Sequence, residues 1–130
     1  LLKGNFLPAM SVMWRKDVLV EAGMFTPNIM IEDWDLWLRM AKATKAVYVD
    51  SILASYRWQQ NNTVKTQLAK LREGQDFILK RELDFFVDNA VMSKKISKLL
   101  LINAIKLMIS GKYKLACIRF FDINLWKKVL

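Results

Sequence analysis

The pattern of this chain changes near Asn62 to Thr66, and that break constrains the fold more than any other feature. Before it, short apolar runs alternate with turn signals. After it, apolar residues recur at the spacing of amphipathic helices. The charge changes at the same place. Residues 1–63 carry 7 Lys/Arg against 6 Asp/Glu, a net of +1, and residues 64–130 carry 14 against 6, a net of +8. Two segments are therefore expected, a mixed one over 1–63 and a helical one over 64–130. With 130 residues and 54% hydrophobic content, the chain has enough apolar material for a core and is not a disordered segment.

Within the first segment, Met10 to Trp14 reads as a short buried strand. Lys16 to Ala22 reads as a helix stopped by Gly23. Thr26-Pro27-Asn28 is a loop signal. Asp33 to Thr44 reads as a helix with acidic residues in its first turn and Arg39 and Lys42 later, as the helix dipole favours, and Asp35 and Arg39 stand i, i+4 for an ion pair. Ala46 to Val49 and Ile52 to Tyr56 read as two short strands around Asp50-Ser51. In the second segment the expected helices are Val64 to about Val87, Ser93 to Ser110, and Lys112 to Lys128, the last two separated by Gly111.

Several chemistries are excluded at once. The chain has no His, so it lacks the common zinc sites and any Ser-His or Cys-His pair. Its one cysteine, Cys117, forms no internal disulfide, which fits a reducing compartment, and it sits in an apolar helical stretch as a packing residue. The N-terminus reads Leu1-Leu2-Lys3-Gly4-Asn5, without the features of a secretory signal, as if entering in mid-domain. The most apolar stretch, Leu99 to Ile109, is interrupted by Lys106 and falls short of the roughly 20 residues of a membrane span.

The densest chemical signal is Ile31-Glu32-Asp33-Trp34-Asp35-Leu36-Trp37-Leu38-Arg39, with three carboxylates and two Trp at an expected loop-to-helix junction. Backbone N–H groups and the helix dipole hold a carboxylate there ionised and oriented, and an ionised Asp beside a hydroxyl acts as a general base. The Trp faces suit sugar rings. From residue types alone the same stretch reads more readily as an acidic helix start followed by an amphipathic helix with Trp34, Trp37 and Leu38 in the core.

Set in order, Gly4-Asn5-Phe6, Ser11-Val12-Met13-Trp14-Arg15, Glu21-Ala22-Gly23-Met24-Phe25, Glu32 to Arg39, Tyr56-Arg57 and Asn62-Thr63 resemble the second half of family 2 glycosyltransferases, over about residues 4–63. The resemblance implies the C-terminal portion of an α/β, GT-A type nucleotide-sugar transferase domain, followed by a basic helical extension. It implies transfer of a sugar from a nucleotide-sugar donor to an acceptor hydroxyl, with inversion, in bacterial polysaccharide or glycoconjugate synthesis. Asp33 resembles the family's catalytic base. Glu32 and Trp34 would line the acceptor side, Gly4 and Asn5 the loop beneath the site, and Arg57 the segment over the donor pyrophosphate.

Two departures from the family pattern stand out. Gln59 occupies the place, two residues after Tyr56-Arg57, where many members have His, and the nucleotide-binding half with its Asp-X-Asp metal segment has no counterpart here. The expected divalent cation, Mg or Mn, would accordingly be held by ligands outside this chain, and the fragment alone would lack donor binding and self-associate. The expected partners of the whole enzyme are a nucleotide-sugar donor and a glycan or lipid-linked acceptor, without nucleic acid.

The basic second half fits the anionic inner face of a plasma membrane, for a peripheral cytoplasmic enzyme, or an ordinary solvated bundle. Lys94, Lys95, Lys98 and Lys106 lie close to one helical stripe opposite Ile96, Leu99, Leu100 and Leu107. Arg15 and Arg57 suit phosphate contacts or plain surface positions. The alternative to the enzyme is a non-enzymatic basic helical module that binds nucleic acid or a protein. It leaves the ordered motifs of residues 4–63 unexplained, and the aromatics from Phe77 to Trp126 lie mostly in apolar surroundings.

Overall fold

A computed structural model describes residues 1–2, 4–60, 62 and 66–120, without the side chains of 115 and 118–120. Thr63, the expected helix start at Val64, residues 121–128 of the expected third helix, and Phe121 and Trp126 lie outside the described residues. The chain divides into two compact units, Leu1–Gln67 and Leu68–Leu130.

The first unit holds a single 3-10 turn, Ala9–Ser11, and two helices, α1 (Lys16–Glu21) and α2 (Glu32–Ala43). Helix α1 stops where the sequence supplies Gly23, at φ +81°. There the Gly23 N–H donates to the Val20 carbonyl and the Met24 N–H to the Leu19 carbonyl, each at 3.0 Å. This paired closure needs a left-handed residue at the position of Gly23. Helix α2 starts with Glu32, Asp33 and Asp35 in its first turn and has Lys42 in its last, in the sense the helix dipole favours.

Residues 34–38 of α2 are all buried, so the core of this unit is the helix's own Trp34, Leu36, Trp37 and Leu38. The Trp37 ring meets Trp14 at a centroid distance of 5.4 Å, and its Nε1 donates to the Leu7 carbonyl at 3.1 Å. Burial of an aliphatic side chain such as Leu36 contributes about 1.5–3 kcal/mol.

A buried ion pair fixes α2 against the end of α1. Asp35 is fully buried and accepts from Arg39 Nε at 3.0 Å, from Arg39 Nη2 at 2.8 Å and from Thr26 Oγ1 at 2.6 Å. The same guanidinium donates to the Ala22 carbonyl and, at 2.6 Å, to the Met24 carbonyl, closing over the Gly23 turn. The i, i+4 spacing identifies the pair, and burial makes it the structural tie of the unit.

The expectation of an α/β, GT-A type fold is overturned: among the described residues there is no strand. Met10 to Trp14 contains the end of the 3-10 turn, and residues 45–50 and 52–59 carry no regular structure. The physical reason is pairing. A strand is stable only beside another, and the β-prone residues Val47, Tyr48, Ile52 and Leu53 stand exposed without one, Ile52 at 98%. Alternation of side chains survives locally, since Tyr48 reaches Asp50 and Tyr56 reaches Trp58, each two residues on.

The second unit is three helices, α3 (Leu68–Phe85), α4 (Ala90–Ile109) and α5 (Tyr113–Phe120), with α4 packed on both neighbours. Helices α3 and α4 run antiparallel, because Asp76 and Arg72 early in α3 reach Asn103 late in α4, while Ser93 early in α4 donates to the Phe86 carbonyl after α3. The Asn89 side chain caps α4 by accepting from the Met92 N–H at 3.0 Å. Gly111, at φ +76°, turns the chain into α5 with the same paired closure as Gly23, through Gly111 to Met108 and Lys112 to Leu107.

Ile78, Leu79 and Leu83 of α3 and Ile96, Leu100 and Leu107 of α4 are among the buried residues of this unit. Lys94, Lys95, Lys98 and Lys106 are all exposed, and Leu99 is half-buried. Cys117 is exposed, against the expectation of a packing residue. The inward face of α5 is marked by Ala116, one residue earlier. Among the described residues no helix is long and apolar enough to cross a membrane.

Candidate active site

Asp33 is the second residue of α2 and is half-buried. Its Oδ1 accepts from the Trp34 backbone N–H at 2.7 Å, one of the N–H groups that a helix start leaves without an intrahelical partner. Its Oδ2 accepts from the Asn5 side-chain amide at 2.9 Å. Asn5 is itself oriented, because its Oδ1 accepts from the Leu7 N–H at 3.1 Å, so the amide nitrogen points at Asp33. Both carboxylate oxygens thus have one fixed donor each, which leaves lone pairs for a hydroxyl proton.

The remaining sequence-derived candidates fall in different places. Glu32 is exposed beside Asp33, at the first position of the helix. Gly4 is half-buried next to Asn5 and donates its N–H to the Leu1 carbonyl at 3.0 Å. Trp34 is 3% exposed, with Nε1 donating to the Leu1 carbonyl at 3.0 Å. A ring packed that closely has no free face for a sugar, so Trp34 builds the floor behind Asp33 and is not an acceptor platform. Arg57 is exposed on the irregular run after α2. Arg15, the other candidate for phosphate, is exposed and paired with Asp17. That hydrogen bond holds the Asp17 carboxyl below its ordinary range and raises the guanidinium.

Thr26 and Leu7 escape a reading of the sequence. Thr26 looks like a loop residue before Pro27, yet its hydroxyl donates to buried Asp35 at 2.6 Å. Leu7 acts through its backbone N–H, which no side-chain pattern reveals.

Asp33 and Asp35 do not fit a divalent cation. Asp35 is turned into the core against Arg39, and no group of three or more His, Cys, Asp or Glu comes together among the described residues. No step below is routed through a metal. Comparison with family models, with curated proteins and with solved structures finds no match for this chain.

Proposed function

We propose that this chain carries the acceptor-activating part of a glycosyltransferase, with Asp33 as general base. The observation that supports it is the meeting of Asn5 and Asp33 at 2.9 Å. Two motifs of the glycosyltransferase resemblance, 28 residues apart, converge on one carboxylate at a helix start. In the proposed reaction an acceptor hydroxyl lies against Asp33. Its oxygen forms a bond to the anomeric carbon of the donor, its proton passes to the Asp33 carboxylate, and the bond from that carbon to the nucleoside diphosphate breaks with the electron pair leaving on the diphosphate. Attack opposite the leaving group inverts the anomeric centre.

Asn5 and the Trp34 N–H hold the carboxylate in one orientation at the start of α2. Glu32, exposed one residue earlier, is placed to accept from a second acceptor hydroxyl. Both are roles for side chains held at a helix terminus rather than on the mobile middle of a loop.

The test is nucleoside diphosphate release by the natural full-length protein from a panel of sugar nucleotides, with and without glycan acceptors. Acceptor-dependent release with one donor is expected. Absence of release with every donor and acceptor pair contradicts the reading.

A further inference from the structure

The outward face of α4 and the corner where it turns into α5 remain without a role. On α4, Val91, Lys98, Ile105 and Ile109 fall within about 40° of one line at 3.6 residues per turn. That line lies opposite the buried Ile96, Leu100 and Leu107. Helix α4 is therefore apolar on both sides, inward for the bundle and outward toward solvent. At the corner, Ile109 is 82% exposed and Tyr113 64%, with Lys106, Lys112 and Lys114 exposed around them. Residues 90–121 hold six Lys and one Arg and no Asp or Glu.

We infer that this face rests on an anionic lipid bilayer, with Ile109 and Tyr113 entering the headgroup boundary and the Lys side chains pairing with acidic headgroups. Charge complementarity selects the surface: between Asp88 and Asp122 the chain carries Lys and Arg with no Asp or Glu, which matches a negative sheet. The exposed aliphatics select a bilayer over nucleic acid. Ile105 and Ile109 gain nothing from a phosphate backbone, and single-strand binding calls for stacking aromatics in a groove, whereas Tyr113 is the one aromatic at this corner among the described residues. An interfacial helix has this composition, aliphatic residues along a line and Lys on its flanks, whose stems lie on the apolar surface while the ammonium reaches outward. Tyr at the boundary places its ring in the apolar layer and its hydroxyl at headgroup level. The inference does not depend on the reaction proposed for Asp33.

The experiment is co-sedimentation of the whole chain with phosphatidylcholine vesicles, with and without phosphatidylserine, at low and high salt. Each Lys near an anionic surface strengthens binding roughly fivefold, so Lys106→Gln with Lys112→Gln is expected to weaken binding to phosphatidylserine vesicles by more than tenfold. Ile109→Asp, at an exposed position where the fold is undisturbed, removes the buried aliphatic and is expected to weaken it about tenfold or more. Ile52→Asp, on the exposed run after α2, is expected to leave binding unchanged. Equal recovery with both vesicle types overturns the inference, as does absence of binding to either. Loss of binding in Ile52→Asp equal to that in Ile109→Asp also overturns it, because adhesion is then general to exposed apolar residues.

Discussion

The side-chain amide of Asn5 donates to the Asp33 carboxylate at 2.9 Å, and the Leu7 N–H holds Asn5 in place for it. A hydrogen bond to a charged group contributes about 1.5–3 kcal/mol, part of which orients the carboxylate. Asn5→Ala is therefore expected to lower kcat of the full-length protein by about tenfold with little change in the Michaelis constant of the donor. Asn5→Asp sets a like charge against Asp33 and is expected to lower it further. Steady-state kinetics of the two variants check the order.

Arg39 joins the buried carboxylate of Asp35 to two carbonyls at the end of α1. Removing one partner of a buried ion pair costs about 3–5 kcal/mol. Arg39→Ala is expected to lose that much stability in the first unit, read by urea unfolding with the Trp emission of Trp14, Trp34 and Trp37. Arg39→Lys is expected to recover little, because one ammonium cannot replace the guanidinium fork.

Asp17 has its carboxyl lowered by the hydrogen bond from Arg15. A lowered folded-state value means that the pair stabilises the fold above the unfolded carboxyl range and loses that contribution as pH falls through the folded value. Both side chains are exposed, so the effect is small. Asp17→Asn is expected to melt slightly below the unsubstituted chain at neutral pH, and the two melting curves are expected to converge as pH falls through the lowered folded-state value.

The helices were legible where their signals are local. Gly23 and Gly111 mark two helix ends by themselves, and the acidic first turn marks the start of α2 one residue before Asp33. The strands read at Ala46 to Val49 and Ile52 to Tyr56 do not form, because residue type supplies a preference and pairing supplies the stability. The Asp35–Arg39 pair could be read from its spacing, but its burial depends on where α1 ends. Trp34 carried two readings in the sequence, and its 3% exposure selects the core. The Asn5–Asp33 bond closes a loop of 28 residues, so the motifs named its members without revealing that one orients the other. Cys117 and Ala116 are neighbours on one apolar stretch, and only the packing of α5 on α4 decides which faces inward.

The proposed role of Asp33 is to remove the proton from the acceptor hydroxyl. Its most direct test is the turnover number of Asp33→Asn in the full-length protein, measured as acceptor-dependent release of nucleoside diphosphate with donor affinity determined separately. General base catalysis contributes roughly 10²–10⁴ in rate. The expected result is a fall in kcat of about a hundredfold or more with donor affinity unchanged, and near-normal turnover by Asp33→Asn rules out Asp33 as the base.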